Sequence, residues 1–331
     1  MADALLGKIN PSGKLNESWP EKLSDNPSYP YFPSPERTAE YREGLYIGYR
    51  YYDTAGVPVR YPFGYGLSYT GFAYSDLSAS REAVTFTVTN TGAMDGAEVA
   101  QVYVSCKDGK VFRPNKELKG FAKVFLQAGE CKTVTIPLDD KAFRYFNVKT
   151  DRWEIETANY EISVASSVAD VRLTACVHVE GTEAPVPYGS LPAYESGRIG
   201  AVSDTEFAEL LGRPIPDGHW SGELTRNDAI CQLYYAKCGV ARLAWKLLTW
   251  LKNRSEAKGT PDLNILFIYN MPFRAMGKMA GGMVCDEMVD DIVFLVNGHF
   301  FRGLGRVIRD FFRNMGRNKA FLKQLEANKE G

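Results

Sequence analysis

The sequence lacks the short motifs of most self-contained enzymes. It has no G-x-S-x-G nucleophile motif and no G-x-x-x-x-G-K phosphate-binding motif, and Gly64 and Gly66 are followed by Tyr69 where a dinucleotide-binding motif needs a third glycine. The histidines are few and far apart, without a cysteine or carboxylate at ligand spacing. They are His178, His219 and His299. We therefore expect no serine hydrolase, no bound nucleotide, no metal and no cofactor.

An excess of charge of one sign and long apolar runs are also missing. The 39 Lys and Arg residues nearly cancel the 40 Asp and Glu residues, so the whole chain offers no field for nucleic acid. No apolar run approaches the ~20 residues that cross a bilayer, and the first residues do not form a signal peptide. The six cysteines contain no C-x-x-C pair, which favours a reducing compartment. The expected location is the cytoplasm.

The composition suits a globular protein of two or three domains, with 45% hydrophobic and 24% charged residues in 331. From residue 72 to residue 179 short stretches alternate between apolar and polar side chains, as in Val84, Phe86 and Val88 against intervening threonines. Turn signals such as Asp95-Gly96 separate them. About seven strands in about 100 residues predict an immunoglobulin-like β-sandwich, with Val102 and Trp153 in its core.

The last third of the sequence has a helical period. Residues 181–202 contain several prolines and glycines and are interpreted as a linker. Ser203 and Glu206 then fit a capping box, and apolar stripes predict helices over 240–251, 286–297 and 304–314. The segment from residue 239 onward carries 15 basic and 9 acidic residues, and arginines between 302 and 313 oppose apolar side chains. We expect this helix to pack in its own small domain, whereas binding to a membrane or an acidic partner is the alternative.

Five short blocks carry the clearest signal. They are ADALLG at residues 2–7, NPSGKL at 10–15, WP at 19–20, YREG with GYRYYD at 41–53, and YPFGYGLSYT at 61–70. In order and spacing these blocks resemble the C-terminal end of the second catalytic domain of glycoside hydrolase family 3. The sandwich continues the resemblance with NTG at 90–92, RP at 113–114 and KELKGF at 116–121, which are similar to that family's fibronectin type III-like domain. The helical end is similar to an extension in some bacterial members.

This resemblance implies retaining hydrolysis of β-linked glucosides, with an Asp nucleophile on an N-terminal barrel and a Glu acid/base on the following α/β domain. Such a mechanism uses two carboxylates about 5 to 5.5 Å apart, one ionised and one protonated. The family's order places both carboxylates upstream of the block at residues 2–7. We therefore expect no catalytic residue in this chain, and expect it to be inactive alone and to need the barrel and α/β domain, in cis or in trans, as partners.

Three residues of the 41–53 block are candidates for a loop beside the sugar site: Glu43, Arg50 and Tyr51. An ion pair of Glu43 with Arg42 or Arg50 is the alternative for the carboxylate, and burial against a neighbouring domain is the alternative for the tyrosine. Other apolar side chains of this region are expected to lack partners within the segment. They include Leu5, Leu6, Leu45, Tyr46, Ile47 and Phe63.

The sequence thus predicts a multi-domain chain, mainly β and then α. An α/β remnant occupies residues 1–71, a fibronectin type III-like sandwich 72–180, a linker 181–202 and a helical extension 203–331. The leading hypothesis is the C-terminal, accessory part of a β-glucosidase-like glycoside hydrolase that acts on a β-glucoside or oligosaccharide. The alternatives are a non-catalytic module that binds carbohydrate or protein, and a membrane adaptor that uses the basic helix. We expect no nucleic-acid partner and no membrane contact through residues 301–315.

Overall fold

The computed structural model describes residues 2–32, 38–216 and 222–327. The chain divides into two units, Met1–Gly218 and His219–Gly331. Parts of the predicted domains, residues 217–221 and 328–331 among them, lie outside the described residues.

The first seventy residues contain little regular structure. Their elements are α1 (Ala2–Leu5), β1 (Trp19–Pro20), α2 (Tyr49–Ala55) and β2 (Val59–Tyr61). The β1 and β2 strands pair antiparallel, with Trp19 opposite Tyr61. Helix α2 ends at Gly56, whose φ of 68° lies in the left-handed region that glycine adopts without strain.

The alternating segments form a two-sheet sandwich. Its strands are β3 (Phe72–Ala79), β4 (Ala83–Asn90), β5 (Gly96–Cys106), β6 (Glu117–Leu126), β7 (Cys131–Pro137), β8 (Arg144–Asn147), β9 (Arg152–Ile155), β10 (Ala158–Ser167) and β11 (Asp170–Val179). One sheet has the order β11-β10-β5-β6 and the other the order β3-β4-β7, whereas β8 and β9 form a separate hairpin. Seven strands therefore build the two sheets, which confirms the predicted sandwich.

The sandwich core consists of the predicted inward faces. Val84, Phe86 and Val88 of β4 are fully buried, as is Val102 of β5 in the opposite sheet. The prediction for Trp153 is wrong, because its side chain is 57% exposed. The reason is that Trp153 belongs to the β8–β9 hairpin, which lies outside the two sheets.

The segment after the sandwich folds onto the chain's own first domain. It contains α3 (Pro192–Glu195), a 3-10 turn at Ile199–Ala201 and α4 (Asp204–Leu211). The predicted N-cap at Ser203 is present, since the Glu206 backbone N–H donates to Ser203 Oγ at 3.2 Å and Ser203 Oγ donates to Glu206 Oε2 at 2.9 Å. Residues 181–202, interpreted as a linker, include buried side chains in this structure, and we call residues 188–211 the clasp.

The second unit is helical. Its helices are α5 (Gly239–Glu256), α6 (Leu263–Asn270), α7 (Met276–Met279), α8 (Asp286–Val296) and α9 (Phe300–Ala327), with 3-10 turns at Ile230–Tyr235 and Phe273–Ala275. Its core includes the fully buried Val289 of α8 and the buried Phe273. None of the helices in the described ranges combines the length and the hydropathy that a membrane crossing requires.

The expectation that residues 1–71 leave apolar side chains without partners holds for part of the set. Leu5 is 77% exposed and Ile47 is 63% exposed. It is wrong for Tyr46, which is fully buried, and for Phe63, whose ring stacks on Tyr49 at 4.6 Å between centroids. Tyr46 obtains its partners from the clasp, more than 140 residues along the chain.

Candidate functional site

The 41–53 segment, which we call the 41–53 loop, lies against the sandwich. Helix α2 begins within it and turns Tyr49 and Asp53 toward the β5–β6 connection. The Leu118 backbone N–H donates to Tyr49 Oη at 2.8 Å, and Lys116 Nζ lies 2.8 Å from Asp53 Oδ1. Both Lys116 and Asp53 are largely buried, so this ion pair is less screened than a surface pair. The sandwich therefore fixes one end of the loop.

The clasp fixes the other end. Tyr194 Oη donates to the Arg42 carbonyl at 2.9 Å, while Tyr46 Oη donates to the Tyr194 carbonyl. Burial, with a smaller contribution from Glu195, raises the pKa of Tyr46 to about 12, so its hydroxyl remains a donor at neutral pH. These reciprocal bonds join two segments distant in sequence.

The Arg42 side chain is the main polar contact between loop and clasp. Its Nη1 donates to the Val202 carbonyl at 2.9 Å, and its Nη2 lies 2.6 Å from Asp204 Oδ1. The guanidinium also lies over the Phe207 ring, 5.0 Å from the centroid. Burial alone lowers the pKa of Arg42, but its hydrogen bonds to Asp204 and Glu40 outweigh burial and raise it.

Glu43 occupies the turn between these two anchors. The residue is 8% exposed, and its Oε2 is buried without a hydrogen-bond partner among the residues that the structure describes. Gly44 follows with a φ of 53°, which a residue with a side chain rarely adopts. Neither arginine named as an alternative partner pairs with Glu43, because Arg42 binds Glu40 and Asp204 and Arg50 binds Glu117.

Arg50 and Tyr51 lie on α2. Arg50 Nη2 is 3.1 Å from Glu117 Oε1 at the start of β6. The Tyr51 ring contacts Tyr52 in a T-shaped arrangement at 5.3 Å and packs against the cluster that buries Tyr46. Burial, together with Asp25, raises the pKa of Tyr51. In the described residues no hydrogen bond or ion pair joins Glu43 to Arg50 or Tyr51.

Local sequence patterns did not predict the clasp or the roles of Arg42 and Tyr194. The available signal was a cluster of aromatic residues, Tyr188 and Tyr194, within a stretch that prolines and glycines mark as irregular. In the part of the chain that the structure describes, no three His, Cys, Asp or Glu side chains are grouped to hold a metal ion. The site consists of a rigidly held loop with one unsatisfied carboxylate.

Two family models match this chain. The glycosyl hydrolase family 3 C-terminal domain matches residues 1–69, which include the 41–53 loop. The fibronectin type III-like domain matches residues 98–168, which lie within the sandwich.

Curated relatives extend the match. The thermostable β-glucosidase B of Acetivibrio thermocellus is 37% identical over 305 residues, covering 90% of this chain and 36% of that protein. The exo-α-(1→6)-L-arabinopyranosidase of Bifidobacterium longum is 44% identical over 241 residues, covering 71% of this chain and 31% of that protein. The chain thus spans about a third of the length of these relatives.

Solved structures agree. The Bifidobacterium adolescentis GH3 β-glucosidase matches with a TM-score of 0.54 at 40% identity, over 60% of this chain and 31% of that one. The glucose complex of the Kluyveromyces marxianus β-glucosidase matches with a TM-score of 0.52 at 44% identity, over 54% of this chain and 22% of that one. The chain belongs to glycoside hydrolase family 3, of which it carries the C-terminal domain and the fibronectin type III-like domain.

Proposed function

We propose that the chain is the accessory C-terminal part of a β-glucosidase-like glycosidase, in which it holds the 41–53 loop beside the sugar site. The observation that carries this proposal is the Glu43 carboxylate, buried with one oxygen unpaired in a loop anchored on both sides. A buried carboxylate without its full set of hydrogen bonds is costly to stability. Such a group is retained where it serves a ligand or partner, and the two anchors pre-organise it for that role.

The catalytic pair is proposed to belong to the barrel and α/β domain of the complete enzyme. Glu43 then accepts a hydrogen bond at the edge of the sugar site, while Arg50 and Tyr51 support the loop from α2. Catalysis by positioned carboxylates requires both groups, so the chain alone is expected to be inactive. The proposed substrate class is β-glucosides, because relatives such as the thermostable β-glucosidase B of Acetivibrio thermocellus and the β-glucosidase of Kluyveromyces marxianus are β-glucosidases.

Complementation in trans tests this proposal. The chain is mixed with the portion of the Acetivibrio thermocellus β-glucosidase B that it does not match, and hydrolysis of p-nitrophenyl β-D-glucopyranoside is measured. We expect activity in the mixture and none from either part alone. Because one relative is an arabinopyranosidase, p-nitrophenyl α-L-arabinopyranoside is assayed in parallel to identify the sugar.

The Glu43→Gln variant sharpens the experiment. It keeps the shape of the side chain but removes its charge, and we expect kcat/KM of the mixture to fall at least about 10-fold. Glu17→Gln is the matched control, since Glu17 is an exposed glutamate of the same domain. Hydrolysis by the chain alone, lost in Glu43→Gln, would contradict the proposal and place a catalytic carboxylate in this chain. A stable complex without hydrolysis of either glycoside would also contradict it.

A cytoplasmic location is part of the proposal. Its support is that all six cysteines are free thiols, among them the exposed Cys131 and Cys176. Exposed thiols persist in a reducing compartment and oxidise outside it. Mass spectrometry of the protein isolated from its host under alkylating conditions is expected to find all six cysteines alkylated without prior reduction, and a disulfide would contradict this location.

A further inference from the structure

A cleft of about 530 Å³ lies in the first unit, apart from Glu43. The β8–β9 hairpin, the 111–119 stretch and the clasp contribute to its lining, together with Gly44, Leu45 and Arg50 of the 41–53 loop. This volume falls within the range of roughly 300 to 1,000 Å³ that small-molecule sites occupy. The contacts that anchor the 41–53 loop do not account for this cleft.

Aromatic side chains form part of the lining of the cleft. On the hairpin, Trp153 is 57% exposed and Phe146 is 44% exposed, and their rings meet edge to face at 5.5 Å. The lining also contains Phe112 and the clasp residue Tyr188, whose ring centroids are 5.6 Å apart. Flat apolar surface of this kind stacks on planar ligands and favours an aromatic ring.

The charged side chains of the lining are mostly cationic. Five are basic: Arg50, Arg113, Lys119, Lys141 and Arg144. Of the described lining residues only Glu117 is acidic, and it pairs with both Arg50 at 3.1 Å and Lys119 at 3.2 Å. The positive charges therefore exceed the carboxylates that face the cleft.

Two of these cations are available to a ligand. Arg144 lies 3.1 Å from Asp140 and Lys141 lies 3.7 Å from Asp139, but both aspartates are more than half exposed. An ion pair whose carboxylate faces solvent is screened and contributes little, so a ligand anion can compete for the cations. The Arg144 guanidinium also lies over the Trp153 ring at 4.4 Å, which places a positive charge directly beside the aromatic surface.

From these features we propose that the cleft binds an aromatic carboxylate, with its ring on the Trp153 and Phe146 surface and its carboxylate on Arg144 and Lys141. A sugar hydroxyl both accepts and donates, so a lining that presents mainly N–H donors leaves the hydroxyl donors of a neutral sugar without acceptors. A carboxylate only accepts hydrogen bonds, and Arg can bind it through two of them. The proposal does not rest on the proposed glycosidase activity, because Arg144, Lys141 and the Trp153–Phe146 surface lie outside the 41–53 loop and no glycosidic bond is involved.

The test is ligand-observed NMR titration of the full chain with cinnamate. Saturable binding is expected with a Kd of about 1 mM or tighter, as suits a ligand of this size. Cinnamyl alcohol has the same ring without the charge, and its binding is expected to be about 10-fold weaker. Glucuronate carries a carboxylate on a non-aromatic ring and is expected to bind at least about 10-fold more weakly.

Arg144→Met removes the charge and retains an apolar side chain, and we expect it to weaken cinnamate binding about 10-fold. The matched control is Arg172→Met, because Arg172 likewise lies over a ring, that of Tyr74, and pairs with an aspartate, Asp170, but outside the cleft. Lys141→Gln is a second variant whose exposed side chain does not support the fold, and it is expected to weaken binding about 3-fold.

The proposal is overturned by several outcomes. One is the absence of saturable cinnamate binding, and another is equal affinity for cinnamyl alcohol. Equal or tighter binding of glucuronate would make the cleft a site for acidic saccharides instead. Equal losses in Arg144→Met and Arg172→Met would show that the effect is not local to the cleft. If Arg144→Met changes the melting temperature, the test rests on Lys141→Gln instead. Unchanged affinity of Lys141→Gln for cinnamate then contradicts the proposal.

Discussion

The β-sandwich and the helical unit bury their apolar residues to different degrees. In the sandwich, Phe86 of one sheet and Val102 of the other are fully buried, because two sheets cover each other's inner faces. In the helical unit, Leu243 is 67% exposed, Leu247 is 58% exposed and Trp250 is 53% exposed along one side of α5. The sequence pattern thus identifies the apolar face of a helix or strand. Whether that face is buried depends on whether another sheet or helix packs against it.

Helix α9 makes the difference clearest. The face that packs on α8 contains Gly303, Asp310 and Asn314, and a Cβ on Gly303 would lie 2.6 Å from Leu295 Cβ. The small residue permits close approach, and Asn314 Nδ2 donates to the Gly282 carbonyl at 2.7 Å. The apolar face points elsewhere, so Phe301 is 87% exposed. Helix α9 thus packs on α8 within the helical unit, but through small and polar residues rather than through its apolar face.

The largest effect is expected in the sandwich core. Phe86→Ala removes a fully buried ring and should lower the free energy of unfolding by about 3 to 5 kcal/mol, through lost burial and the cavity left behind. Phe121→Ala is the matched control in the same sandwich, because Phe121 is 68% exposed, and should change it by less than about 0.5 kcal/mol. Hydrogen exchange of strands β4 and β5 in denaturant measures both. A similar decrease in the free energy of unfolding in both variants would contradict the expected difference between buried and exposed positions.

The next effect concerns the clasp. Tyr194→Phe removes the hydroxyl that donates to the Arg42 carbonyl and leaves a buried acceptor unpaired, at a cost of about 1 to 3 kcal/mol. We expect faster hydrogen exchange over residues 41–54, with strands β4 and β5 unchanged. Tyr188→Phe is the control, because Tyr188 packs at the edge of the same cluster. Uniform acceleration in all strands would show that the clasp is part of the sandwich's folding unit.

The sequence predicted well those features that neighbouring residues determine. Strand β4 has the predicted faces, since its alternation specifies one buried and one half-exposed side. The Ser203 cap formed as predicted, because it depends on a residue three positions away.

Features that depend on distant partners were not predictable from local patterns. Tyr46 and Tyr194 meet across 148 positions, and proline and glycine content around Tyr194 indicates only irregular structure. Tryptophan is a large apolar residue of the kind that cores contain, yet Trp153 is exposed because it lies on a hairpin outside the two sheets. For the candidate site, the five sequence blocks identified the 41–53 loop. Its contacts with the clasp were found only in the structure.

A smaller effect is expected from the carboxylate pair of the helical unit. Asp291 is 7% exposed, and its Oδ2 is buried without a hydrogen-bond partner in the described part of the chain. Burial, together with the Asp310 carboxylate, raises the pKa of Asp291 above its ordinary value of 3.8, against the opposing effect of Arg306 and Arg309. The folded state therefore binds this proton more tightly than the unfolded chain does. Its contribution is most favourable below pH 3.8 and is lost as the pH rises through the raised pKa.

Asp291→Asn is accordingly expected to stabilise the helical unit at pH 7 by on the order of 1 kcal/mol, and to have no stabilising effect near pH 3. Hydrogen exchange of α8, measured at each pH over this range, gives the change in the free energy of unfolding of the helical unit. Asp290→Asn is the control, since Asp290 is exposed and pairs with Arg226. A gain that does not depend on pH would assign the effect to something other than the carboxylate's charge.

The smallest effect on stability is expected on the exposed stripe of α5. Leu247→Gln replaces a side chain that already faces solvent, so the free energy of unfolding should change by less than about 0.5 kcal/mol. Leu248→Gln is its neighbour on the packed side of the same helix and should cost about 2 kcal/mol or more, because it places an amide against the helical core. A loss of comparable size in Leu247→Gln that grows with protein concentration would mean that another copy covers the stripe in solution. The apolar side of α5 would then be buried, as the inner faces of the two sheets are, because another chain packs against it.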